Sequence, residues 1–294
     1  MLFNCYKLTF KFIVFNFIEI KNLDMKNIVL VDFTPESEKA ISFAVNTMKE
    51  TGGELELVHV IDDKNAESST EKMNALVQKY TTSEVKIGIV QLGGKLSDEL
   101  SEYVKGEKIG FVYCGTHDMK FLEHILDSRA LKLLNELDTN FIFVPSSTAD
   151  NQSIKHVLLP IFPDKHSIAN LKVLIYLQHF LKFKITLCTY NAENEGQNDT
   201  MIVASELLNK ANVGFKSVFL GNSEQELMDG LIDFGHALET DTISIVNLTN
   251  QNLFNFAAKG FVESLIRNKR SMPIIAIQNQ ELSNYSSFHT QGGY

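Results

Sequence analysis

The chain contains no tryptophan, 3 cysteines among 294 residues, and fewer basic than acidic side chains. The 27 lysines and arginines against 36 acidic residues leave a formal charge of -9. A surface of that sign repels a phosphate backbone at long range, and no local basic patch offsets it, so no nucleic-acid partner is expected. Cys5, Cys114 and Cys188 lie far apart with no CxxC pair, so they read as free thiols in a reducing compartment. Cys114 and Cys188 sit inside apolar runs, as small core residues do. Long charge-free apolar runs are missing too. Lys7 and Lys11 interrupt the most hydrophobic stretch, MLFNCYKLTFKFIVFNFIEIKNLD, leaving nothing long enough to span a bilayer, and no small-x-small cleavage pattern follows. The expectation is therefore a cytoplasmic protein without a membrane partner. No serine elbow, HExxH, Walker sequence or GxGxxG occurs.

What is present is alternation. NIVLVDF, ELELVHVI, VKIGIVQ, IGFVYCG and FIFVP are short apolar strands separated by helix-length segments. In the first of these helices Ala40, Ile41, Ala44, Val45 and Met48 recur at intervals of three and four along one face, and Gly52-Gly53 stops it. Strands of this character, with helices between them, predict a mostly parallel sheet covered on both faces. The order then begins again with HVLLPIFP, SIANLKVLIYLQHFL and FKITLCTY, and the displacement from Val29 to Leu158 is 129 residues. The fold class is α/β: two tandem Rossmann-like open sandwiches, each with a five-stranded parallel sheet flanked by helices. The expected divisions are 1–24, an extension upstream of Met25; 25–147 and 154–279, the two copies; and 280–294, a tail without sustained pattern. The polar run from Ser146 to Ser153 reads as the linker.

Loops at the carboxyl ends of parallel strands form the usual ligand crevice. Asp32 leaves the first strand there, where its carboxylate could bind a ribose or base, or cap the following helix. Pro35 suits that helix's first turn. At the fourth strand's exit, Gly115 permits a sharp turn and Thr116 could donate to an anion, while Ser128 could cap a helix or touch phosphate. Asp118 adds negative charge between them. His117 and His124 lack a third metal ligand, so no metal site is expected, and His59 with Asp62 and Asp63 has no nucleophile to join. In the second copy, Phe162-Pro163-Asp164 stands where Asp32 would, and Asn247, Thr249, Asn250 and Asn252 read as ligand contacts or as solvated turn residues. Leu253, Phe254, Phe256, Ala257 and Phe261 form one helix face suited to a core.

Across residues 25 to 278 the repeat resembles the universal stress protein family in its tandem form. The resemblance rests on IVLVDFTPESEKAISFA, LVHVI and CGTHDMKFLEHILDSRALKLLNELDTNFIFVP. It implies a five-stranded parallel sheet per copy, and pairing through the last strands, either in a homodimer or as an intramolecular pseudo-dimer. It also implies ATP as the cofactor of some members, held by an acidic residue after strand one and a GxxG sequence followed by glycine and a hydroxyl. Asp32, Gly115, Thr116 and Ser128 match those positions, but Asp118 and Asp127 replace the second and third glycines. One added unit charge at roughly 4 Å and an effective dielectric constant of about 20 costs about 4 kcal/mol, more than one or two neutral hydrogen bonds return. The sequence therefore favours no resident cofactor, no catalytic residue, and a non-catalytic stress-response or regulatory role through self-association or an unknown protein partner. An adenine-nucleotide sensor with slow hydrolysis is the alternative.

Overall fold

The computed structural model describes residues 26–51, 54–61, 66–94, 96–107, 109–116, 137, 139–162, 165–191, 195–247, 261, 264–266, 268 and 270–278. In chain order they form β1 (Lys26–Leu30), α1 (Pro35–Thr51), β2 (Glu54–Ile61), α2 (Ala66–Tyr80), β3 (Ile87–Gly93), α3 (Leu96–Gly106), β4 (Ile109–Thr116) and β5 (Asn140–Pro145). The second half repeats the order with β6 (His156–Pro160), α4 (Lys165–Leu181), β7 (Lys184–Thr189), α5 (Glu195–Lys210), β8 (Phe215–Phe219), α6 (Glu224–Ala237), β9 (Thr242–Asn247) and β10 (Ile274–Gln278). The helix face read from α1 is buried as expected: Ala40, Ile41, Ala44, Val45 and Met48 are all at most 4% exposed. The segments 1–25 and 279–294, and the helix expected over 121–137 save Leu137, lie outside the described residues.

The ten strands make one sheet, in the order β3-β2-β1-β4-β5-β10-β9-β6-β7-β8. Within each half every pairing is parallel, and the two halves meet through one antiparallel pair, β5 with β10. There Ile142 faces Ile275, while Phe143 pairs with Ile274 and Phe141 with Ala276. Parallel pairing makes Phe141 the counterpart of Ile274 and Phe143 that of Ala276, since Phe141 lies beside Val112 and Ile274 beside Ile243. The junction is thus self-complementary, as an isologous dimer contact is, but inside one chain.

Register also corrects the sequence repeat. Val29 pairs with Leu57 and Leu159 with Leu187, so Val29 corresponds to Leu159, at a displacement of 130 rather than 129. A slip of one residue turns a side chain to the opposite face. Val29 and Leu159 indeed share the core beneath α1, α2, α4 and α5, whereas Ile28 and Leu158 share the core on the α3 and α6 side. Each core follows one face of the sheet across both halves.

The expected linker is tied down. Ser42 Oγ and Asn46 Nδ2 donate to the Asp150 carbonyl at 2.7 and 2.8 Å, and Lys39 forms an ion pair with the Asp150 carboxylate. At spacings of three and four these residues share one side of α1. At the other end of the linker, the Asp241 carboxylate accepts from the amides of Lys155 and His156 at 3.0 and 2.9 Å.

The junction carries a stability test. Ile275 is fully buried, so Ile275→Ala is expected to cost about 2–5 kcal/mol in urea unfolding. Truncating the exposed Ile202 to alanine should stay within about 0.5 kcal/mol.

Candidate functional site

At the carboxyl end of β1 the chain makes a compact turn. Asp32 is exposed, and its Oδ1 accepts from the Thr34 amide at 3.1 Å and from the Thr34 hydroxyl at 2.5 Å. Thr34 in turn caps α1, its Oγ1 accepting from Ser37 N at 3.3 Å while Ser37 Oγ donates to Thr34 O at 2.9 Å. Of the two uses the sequence left open for Asp32, ligand contact or capping, the capping falls to Thr34 instead, and Asp32 fixes the turn before it. A threonine directly before Pro35, the first helical residue, was the available signal.

Between them Phe33 has φ 64, in the left-handed region where a bulky residue is strained. Its ring lies 4.4 Å from the His59 ring and 5.2 Å beneath the Lys72 ammonium, contacts that hold it there. His59 Nδ1 bonds the Val31 carbonyl at 2.7 Å, which makes Nδ1 the protonated nitrogen. His59 is therefore a brace across the ends of β1 and β2; Asp62 and Asp63 lie outside the described residues.

The predicted sharp turn at Gly115 is not found. Gly115 lies within β4, in register with Val144, and a Cβ there would come within 2.3 Å of the Glu36 carbonyl oxygen and 2.8 Å of Ser37 N. Glycine is needed because the strand passes against the backbone of α1's first turn. Thr116 ends the strand at 5% exposure, its carbonyl accepting from Ser146 N at 2.9 Å, so its side chain is buried rather than presented to an open crevice. Cys114 sits close enough to Asp32 to feel its charge. Burial first, and that carboxylate second, push its thiol up to about 12. Of the four positions expected to hold a nucleotide, Asp32, Gly115 and Thr116 therefore gather at neighbouring strand ends. Ser128 lies outside the described residues, as do His117, Asp118, His124 and Asp127.

The second half keeps the frame and changes the side chains. Ile161 N donates to Cys188 O at 2.8 Å as Val31 N does to Val58 O, which makes Phe162 the counterpart of Asp32 and Thr189 that of His59. Thr189 Oγ1 donates to the Ile161 carbonyl at 3.0 Å, the same brace in other chemistry. Phe162 N donates to Ser167 Oγ at 3.0 Å, and its ring meets Phe261 edge-on at 6.0 Å. Phe261 packs against the core as expected, but Thr249, Asn250, Asn252 and the apolar positions from Leu253 to Ala257 lie outside the described residues, as does the side chain of Asn247. Among the described residues no group of three or more His, Cys, Asp or Glu could hold a metal ion, and no helix is long and apolar enough to cross a membrane.

Residues 25–145 match the model of the universal stress protein family. No curated protein sequence matches the chain. Among solved structures, a universal stress protein from Archaeoglobus fulgidus aligns with a TM-score of 0.71 at 13% identity, covering 87% of this chain and 98% of that one. A functionally unknown protein from Pseudomonas aeruginosa aligns at 0.58 and 9% identity, covering 86% and 92%. At these identities the likeness concerns the fold, α/β with a mostly parallel sheet between helices.

Two measurements check the site. Gly115→Ala forces a Cβ against fixed backbone and should cost about 3 kcal/mol in chemical unfolding. The rate of Cys114 alkylation, read by peptide mapping, should keep rising beyond a pH of about 9.5, where an ordinary thiol near about 8.5 has levelled. Asp32→Asn removes the neighbouring charge, favours the thiolate, and should move that profile to lower pH.

Proposed function

Since residues 25–145 form a domain of the universal stress protein family, we propose that the chain is a non-catalytic stress-response or regulatory protein, cytoplasmic, acting through a protein partner as a self-contained pseudo-dimer. The observation that carries this reading is the use to which the crevice residues are put. Asp32 accepts two hydrogen bonds from Thr34, and Gly115 is required by its contact with α1, so both serve the fold. In the sequence Asp118 and Asp127 replace the second and third glycines of the family's nucleotide pattern, a change that adds negative charge a triphosphate disfavours. The pairing of β5 with β10 supports the pseudo-dimer, because each final strand already has the other as its partner and neither edge is left for a second chain.

The alternative is an adenine-nucleotide sensor with slow hydrolysis, using Asp32, Gly115, Thr116 and Ser128. It is favoured by one feature: Asp32 stays exposed after β1, close enough to Cys114 on the neighbouring β4 for its charge to act there. Native mass spectrometry of the full chain and of a chain beginning at Met25 separates the readings. The expected species is a monomer free of nucleotide over a broad concentration range. ATP retained at near-stoichiometric amount would overturn the first reading and establish the sensor, and a concentration-dependent dimer would overturn the self-contained pseudo-dimer.

A further inference from the structure

The sheet ends in two strands that are protected to different degrees. β8 is five residues long and carries the exposed Lys216, whereas β3 runs for seven residues, Ile87–Gly93, without a charged residue or a proline. Both faces of β3 are covered, Ile87 and Ile89 packing against one core and Val90 and Leu92 against the other. Its outer edge pairs with no described strand, and a Cβ added at Gly93 would meet nothing within 4 Å. Such an edge is a template for a further strand, because every second N–H and C=O along it points outward and needs a partner.

One segment of the same chain has the matching pattern. Residues 12–18, FIVFNFI, are seven uncharged residues bounded by Lys11 and Glu19, and they are rich in the aromatic and β-branched side chains that strands favour. Left in solvent, such a run is an aggregation hazard. It lies outside the described residues, and only residues 19–25 separate it from β1, which begins at Lys26. Seven residues span at most about 25 Å. With strands about 4.8 Å apart, a strand added outside β3 lies about 14 Å from β1, within that reach, whereas one outside β8 lies about 38 Å away, beyond it.

We propose that residues 12–18 add to the outer edge of β3 as an eleventh strand. The connection enters β1 at its amino end, so Ile18 lies beside the amino end of β3 and the added strand runs antiparallel to it. Main-chain hydrogen bonds hold the strand, and its apolar side chains alternate between the two faces that α2 and α3 cover on β3. The pairing concerns the far edge of the sheet and holds whatever the crevice binds.

Hydrogen exchange of the full chain, resolved to single amides, tests it. The β3 amides that point away from β2 are expected to exchange at least about tenfold more slowly than the outward amides of β8. Successive residues of a strand point their amides to opposite edges, so of Val14 and Phe15 one donates toward β3. The double variant Val14→Pro, Phe15→Pro removes that donor in either register. It should return the β3 amides to the β8 rate while β1 and β4 stay protected. Should the variant fail to fold, the comparison of β3 with β8 in the unaltered chain still decides. Outward β3 amides that exchange as fast as those of β8, protection that survives the double substitution in a folded chain, or protection lost on dilution as a second copy would give, overturns the pairing.

Discussion

The antiparallel contact between β5 and β10 is the constraint on which the architecture depends. Ile142 opposite Ile275 marks its centre, and the flanking pairs exchange their counterparts about that point. A two-fold contact of this kind normally joins separate subunits and is limited by their concentration. Here the partner strand is part of the same chain, so the contact forms at high effective concentration. Its consequence extends through the whole molecule, because joining two parallel sheets edge to edge lets each core run beneath both halves. The free edges are thereby moved to the far ends, β3 and β8, and β8 is five residues long with Lys216 exposed on it, features that blunt further pairing.

Symmetry of the backbone does not extend to the side chains. The carbonyl that ends β1 is braced by His59, and its counterpart after β6 by Thr189. At the opposite end of the strands, Lys26 pairs with Glu56 at 3.2 Å, while the corresponding His156 bonds Thr186 Oγ1 at 2.8 Å. Burial, with the charges of Lys184 and Lys216, keeps the His156 imidazole below its ordinary pKa, whereas the carboxylates of Glu56 and Glu107 hold the Lys26 ammonium in its charged form. Any polar group that completes the backbone's hydrogen bonds suffices for the frame, which leaves the two halves free to diverge in what they present to solvent.

The same division explains how the crevice acquired its character. Asp32, Thr34 and Gly115 occupy positions suited to a ligand, yet their observed contacts are with one another's segments: turn to cap, and strand to helix backbone. Phe33 adds local strain that its contacts with His59 and Lys72 hold in place. Each of these described crevice residues therefore also closes part of the fold.

By itself the sequence determined the described elements and their order. The spacing of Ala40, Ile41, Ala44, Val45 and Met48 encodes a buried helix face, and apolar runs between helices encode parallel strands, because such periodicities act within a few residues. It also placed Asp32 and Gly115 at strand ends. Tertiary structure decided the rest. Strands buried on both faces are apolar at every position and carry no parity, so only hydrogen-bond register shows that Val29 answers to Leu159 and not Leu158. Whether Gly115 serves a turn or a close approach depends on where α1 lies, and the meeting of Phe162 with Phe261 spans 99 residues of chain. Contacts of that range leave no local periodicity to read; they exist only once the strands have been ordered and the two halves joined.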